Sequence, residues 1–99
     1  MIGLLSNHQR VLIDNKIFYL EGDLNDNGLY IDLFHINPEF RGIGLSYSIW
    51  RNIQEKYKVD ITLQAYFTLI PYYKKMGFID LGVADDAGYH DLILKYKQD

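Results

Sequence analysis

Asn37-Pro38-Glu39-Phe40-Arg41-Gly42-Ile43-Gly44-Leu45-Ser46 combines a proline, a basic side chain and two glycines set two apart, between an apolar run and a segment of helical periodicity. Chain delivered in this way into a helix N-terminus leaves backbone N–H groups without intrahelical partners, and the positive end of the helix dipole adds to their field. Such a place suits an anion, above all a phosphate or pyrophosphate. Glycine lets the anion approach the backbone without a Cβ in the way. Three further residues carry chemistry of their own. Tyr73 offers a phenol that holds its proton at neutral pH, Asp32 a carboxylate, and His35 an imidazole, a group whose ordinary pKa lies near the working range.

A Gly-x-Gly pair alone specifies little. A dinucleotide fingerprint needs glycine or alanine three residues after Gly44, where Tyr47 stands, and a Walker-type loop needs Gly-Lys-Ser/Thr, which is absent. The elements that must position the loop are legible on both sides of it. Leu29-Tyr30-Ile31-Asp32-Leu33-Phe34-His35-Ile36 is rich in β-branched and aromatic residues, opens after Asn27-Gly28 and closes at Pro38, so it reads as a strand. Leu45, Ile49, Ile53 and Tyr57 fall at helical spacing with Trp50 beside them, which predicts a helix from about Gly44 to Tyr57.

Upstream, Gln9 to Asp14 contains Val11-Leu12-Ile13 and predicts a strand turning at Asn15-Lys16 into Ile17 to Asp23. Asn25-Asp26-Asn27-Gly28 then supplies the positive φ angles of a hairpin turn, giving an antiparallel meander. Downstream, Asp60 to Ala65 alternates as a half-buried strand, and strand-helix-strand implies that it lies parallel to Leu29–Ile36. A second helix carries Tyr72, Tyr73 and Met76 and ends at Gly77; Pro71 delays its start, with Thr68 near the N-cap. Phe78 to Ala84 and Tyr89 to Lys97 form a closing hairpin across Asp85-Asp86-Ala87-Gly88. The predicted class is therefore α/β with a mixed sheet: a meander, then helix-strand-helix, then a C-terminal β-hairpin.

Ninety-nine residues can close one core but not two, so residues 1–99 are expected to form a single domain. Nearly half of them are hydrophobic, which argues against disorder. No apolar run reaches the ~18 residues of a membrane span, and Met1 to Asn7 has no signal-peptide pattern, so a cytoplasmic protein with no membrane partner is expected. A formal charge of −3 argues against a general nucleic-acid binder and leaves room for a cationic substrate. With no cysteine there is no disulfide, thiolate metal site or cysteine nucleophile, and His8, His35 and His90 show no ligand spacing, so no metal is expected.

Pro-x-x-Arg-Gly-x-Gly, followed some thirty residues later by Tyr73-Lys74-Lys75-Met76-Gly77-Phe78, resembles the GNAT superfamily of acetyl-CoA-dependent N-acetyltransferases. The resemblance runs from about Ile17 to the C-terminus and implies the GNAT fold, acetyl-CoA as co-substrate and direct attack by an amine with no covalent acetyl-enzyme. It implies that the pantetheine arm hydrogen-bonds the strand edge at Phe34, His35 and Ile36, where an amide polarises the thioester carbonyl. The pyrophosphate would lie against the N–H groups of Gly42, Ile43, Gly44, Leu45, Ser46 and Tyr47. Arg41 takes the family's Gln/Arg position, contacting phosphate or bracing the loop, and Ser46 stands where glycine or alanine is usual.

In the pattern Tyr-x-x-x-Gly-Phe the resemblance makes Tyr73 the general acid for the departing thiolate, with Tyr72 as the fallback if the helix starts late. Asp32 matches a position often acidic in the family, suited to act as a base through water or to bind a cationic acceptor, and His35 lies beside the cofactor edge. Asp85, Asp86 and His90 read as turn and surface residues. Set beside a typical member, the chain resembles a short form lacking the N-terminal strand and two helices that wall the acceptor site. The acceptor, a small amine or a protein amine, would then meet an open cleft, one completed by a second subunit in a homodimer, or one shaped by a large partner. Two other classes stay open: a catalytically inactive coenzyme-A-binding regulatory or interaction module, and a β-rich binding protein with no cofactor.

Overall fold

The computed structural model describes residues 8–97, so the reading of Met1–Asn7 as no leader lies outside the described residues. Val11 and Ile13 place one face of β1, Gln9–Asp14, against the core, and Leu12 between them is exposed on the other face. The N–H groups of Ile17 and Phe18 both donate to the Asn15 side-chain oxygen at 2.9 Å, which reverses the chain into β2, Phe18–Asn25. β3, Gly28–Ile36, returns antiparallel across a turn closed by Asn25 opposite Gly28. Only Gly28 in that turn has a positive φ, 124°, whereas the sequence suggested several such angles. The one left-handed angle needed falls on the residue that takes it without steric cost.

Pairing of β2 with β3 slips once. Glu21 stands opposite Leu33 and Gly22 opposite Ile31, so Asp32 is an extra residue, a β-bulge. Gly22 permits the close approach there: a Cβ on it would lie 2.4 Å from the Tyr30 carbonyl oxygen. The bulge shifts the alternation, so that Leu29 and Ile31 before it and Phe34 and Ile36 after it all turn to the core face.

Helix α1, Leu45–Tyr57, buries Ile49, Trp50 and Ile53. It also buries Gln54, whose amide donates to the carbonyl of Leu94 at 3.0 Å and whose oxygen accepts from Arg51 at 3.1 Å. The chain re-enters the sheet as β4, Ile61–Tyr66, parallel to β3 as expected. That ladder is short, running only from Leu29 opposite Ile61 to Ile31 opposite Leu63, and beyond it the two strands part. A 3-10 turn over Phe67–Leu69 leads into α2, Ile70–Lys75, so the N-cap is Leu69, one residue on from Thr68. Pro71 sits in the first turn, where a missing N–H goes unneeded. Gly77 and Phe78 close α2 by donating to the carbonyls of Lys74 and Tyr73 at 3.0 and 3.1 Å.

β5, Ile79–Val83, and β6, Tyr89–Leu94, form the last hairpin, shorter than the spans read from the sequence. β6 inserts between β4 and β5, giving the six-stranded order β1-β2-β3-β4-β6-β5. Both helices pack on one face of this mixed sheet. Trp50, fully buried, meets Phe34, Phe78 and Tyr73 with ring centroids 4.5, 5.3 and 6.3 Å away. The opposite face carries Leu12, Tyr30, Leu33, Tyr66 and Tyr89, all exposed.

Candidate functional site

Where β3 and β4 part, the core-facing ends of β3, the loop into α1 and the start of α2 enclose a cleft of about 370 Å³. Phe34, His35 and Ile36 line it from β3, Arg41, Gly42 and Ser46 from the loop and first helical turn, and Leu69, Tyr72 and Tyr73 from the opposite wall. β4 provides no ladder partner for Phe34–Ile36, so this stretch presents a strand edge with backbone groups open to a ligand.

The loop is built for close approach. After a 3-10 turn over Pro38–Phe40, Gly42 and Gly44 take φ angles of 78° and 80°. A Cβ on either would meet nothing within 4 Å, so the glycines are there for backbone conformation and leave the space above them free. Gly44 is the N-cap of α1, and no side chain caps that end. The first N–H groups of a thirteen-residue helix therefore face the loop without a protein acceptor, the arrangement that holds an anion. Arg41 braces the loop, its Nε donating to the Ile36 carbonyl at 2.6 Å, while the guanidinium still lines the cleft. Both alternatives read for it are thus compatible with its place.

The two tyrosines divide their work. The Tyr72 hydroxyl donates to Ser46 Oγ at 2.7 Å and ties α2 to the first turn of α1. Tyr73 is buried against Trp50 and Phe78, and among the described residues its hydroxyl meets no hydrogen-bond partner. Burial, then the neighbouring Tyr72 phenol, pushes its pKa up to about 12. Tyr73 is therefore a phenol that keeps its proton and points no bond elsewhere.

Not every residue singled out from the sequence reaches the cleft. His35 does through its place on β3, but its exposed ring lies on the outer face, stacked on Tyr19 at 5.7 Å. Asp32 does not: the bulge turns it to the outer face, where its carboxylate accepts from Arg10. The side chains of Ile43 and Tyr47 are exposed, with the Arg51 guanidinium 4.7 Å above the Tyr47 ring, and Leu45 packs toward Ile13 and Phe18. For these three the loop offers backbone, not side chains. Leu69 in the cleft wall and the Ser46–Tyr72 link went unread. His90, read as a surface residue, is half-buried with Nδ1 2.9 Å from the Asp80 carboxylate; the register of the last hairpin was its one available signal. Asp85 is a turn residue, accepting from the N–H groups of Ala87 and Tyr89.

Among the described residues no helix is long and apolar enough to cross a membrane, and no three acidic or histidine side chains are grouped to hold a metal ion.

Residues 13–89 match the family described as acetyltransferase (GNAT) domain. Two solved structures are similar over 92% of this chain. One is a candidate acetyltransferase from Agrobacterium tumefaciens, 17% identical, with a TM-score of 0.63 and 74% of its own chain covered. The other is an acetyltransferase from Bacillus cereus, 20% identical, with a TM-score of 0.60 and 73% covered. At these identities the likeness is one of fold. Sequence comparison with curated proteins finds no match.

Proposed function

The chain belongs to the GNAT acetyltransferase domain family, a family of acetyl transfer, and from that premise we propose that it moves the acetyl group of acetyl-CoA to a primary amine by direct attack. The observation that carries the proposal is convergence. An unpaired strand edge, an uncapped helix N-terminus behind two left-handed glycines and a protonated, unengaged phenol all border one cleft.

Acetyl-CoA fits these residues. The N–H groups of the Gly42–Tyr47 segment hold the pyrophosphate, Arg41 adds a cation beside them, and Phe34, His35 and Ile36 pair through their backbone with the pantetheine arm. An N–H of that edge polarises the thioester carbonyl. Tyr73 donates its hydroxyl proton toward the sulfur; Tyr72, engaged with Ser46, fixes the wall instead. The acceptor must arrive neutral, and a lysine-like amine of pKa ~10.4 is about a thousandth deprotonated near neutral pH, so proton removal matters. His35, on the outer face beside the β3 edge, is the side chain proposed to relay that proton, through water. Asp32 acts on the acceptor's charge from the outer face.

Acetyl-CoA should raise the melting temperature, since a ligand that binds only the native state stabilises it, by about 2.7 kcal/mol at a hundred times its Kd. A free-thiol assay with a panel of amines then reads transfer directly. No stabilisation at millimolar coenzyme A refutes the proposal. The reading as a non-catalytic coenzyme-A-binding module is favoured by one observation, the tie of Asp32 to Arg10 outside the cleft. It predicts stabilisation without thiol release.

A further inference from the structure

The outer face of the sheet, away from both helices, is exposed and mixed in character. Leu12, Glu21 and Leu33 form one cross-strand row over β1, β2 and β3, with the leucines 60% and 48% exposed. Tyr66 and Tyr89 pack edge to face at 5.4 Å across β4 and β6. Among these apolar groups stand Glu21, Asp23, Asp32 and Asp91. Arg10 meets Glu21 and Asp23 at 3.0 and 3.3 Å and also Asp32, and Asp91 accepts from Gln64 at 3.2 Å. The face therefore holds more carboxylate than cation. A shallow depression of about 330 Å³ extends it, with Asp23, Asn25, Tyr30 and Thr62 in its lining.

This surface adjoins the gap between β3 and β4. On the proposed reading, acetyl-CoA occupies the helix side and the edge of β3, so an amine reaching the thioester approaches from the outer side. There it meets an open sheet, which cannot enclose a small molecule but presents an apolar, anionic surface wide enough for a chain. We propose that the acceptor is a lysine of a basic polypeptide docked across this outer face, a substrate class that rests on the acetyltransferase reading. Leucine and tyrosine contacts supply burial, the carboxylates choose cationic partners, and the lysine enters between β3 and β4. The lysine ammonium gives one proton to solvent, and its nitrogen bonds the acetyl carbon. As the C–S bond breaks, the sulfur leaves with the electron pair and takes the Tyr73 hydroxyl proton, while the second proton of the nitrogen restores the phenol, giving the acetamide and free thiol.

The test compares a lysine peptide flanked by arginine and leucine with ethanolamine and spermidine, using the full chain and acetyl-CoA. Peptide kcat/KM should exceed that of the small amines and fall as salt rises from about 50 to about 500 mM. The pair Leu12→Lys and Leu33→Lys should raise peptide KM about tenfold with kcat and the coenzyme A melting shift unchanged, and Leu12→Glu with Leu33→Glu, which lose the same apolar contacts but add carboxylates, should raise it several-fold less. Equal turnover of small amines and peptide, insensitive to either pair, overturns the docking proposal while the acetyltransferase reading stands. Loss of a dimer in the lysine pair, by light scattering, assigns the face to a second copy and also overturns it. Failure of coenzyme A to stabilise the chain removes both.

Discussion

Replacing Tyr73 with phenylalanine separates what its ring does from what its hydroxyl does. The ring packs against Trp50, Tyr72 and Phe78 at 6.3, 4.9 and 5.3 Å, and phenylalanine keeps those contacts. The hydroxyl meets no partner among the described residues, but it lines the cleft and is not a sealed, unbonded atom as Trp50 Nε1 is, so its removal relieves little desolvation. At neutral pH the variant should therefore be about as stable as the parent. The alkaline limb should differ more. With the folded phenol at about 12 and the unfolded one near 10, both states are protonated below pH 10 and the full stability is present. Above pH 10 the unfolded state ionises first, so stability falls by about 1.4 kcal/mol per pH unit and about 2.7 kcal/mol in all by pH 12. Urea titrations of parent and variant at pH 8, 10 and 11 read the difference, because the phenylalanine chain lacks this component of the decline. In the free-thiol assay kcat should fall about a hundredfold or more, the usual size of general-acid assistance, with coenzyme A affinity nearly unchanged. A variant that turns over at the parental rate, or that loses stability in alkali as steeply as the parent, refutes the reasoning.

Gly44→Ala places a side chain where φ is 80° and nothing lies within 4 Å, so it should cost about 1 kcal/mol of backbone strain and no clash. Calorimetric titration should show coenzyme A affinity falling about tenfold, and unchanged affinity would remove Gly44 from the anion site. Gln54→Leu leaves the Leu94 carbonyl without its buried donor and should lower stability by about 2 kcal/mol in urea. The Gly82 N–H, then the His90 ring, hold the Asp80 carboxyl below its ordinary value of 3.8. That stabilisation is complete above the ordinary value and disappears as pH falls through the lowered one, so Asp80→Asn should flatten the acid limb of the melting curve.

The sequence carried the parts of the site that depend on backbone chemistry. Two glycines after Pro38 and Arg41, an apolar strand before them and a periodic helix after them require a turn that opens onto a helix N-terminus, and that is the loop observed. Tyr73-x-x-x-Gly77-Phe78 likewise fixed one tyrosine relative to a helix end, and Gly77 ends α2. What stayed hidden depends on pairing between distant segments. Arg10 and Asp32 are twenty-two residues apart, and Ser46 and Tyr72 twenty-six, so no local pattern links them. Gln54 reads as a solvated helix position until β6 brings the Leu94 carbonyl beside it. The fate of Asp32 had a local sign, since the alternation of apolar residues changes phase at Leu33-Phe34, but that sign has meaning only once the register with β2 is known.

The extra residue in β3 also decides where the strand can lose length. Deleting Asp32 would restore plain pairing with β2, Ile31 still opposite Gly22 and Leu33 opposite Glu21, so Phe34 would keep facing Trp50 and only the bend and the carboxylate beside Arg10 would go. Removing a paired residue such as Leu33 or Phe34 would instead carry every later side chain to the opposite face, so one position in this strand should be expendable where its neighbours are not.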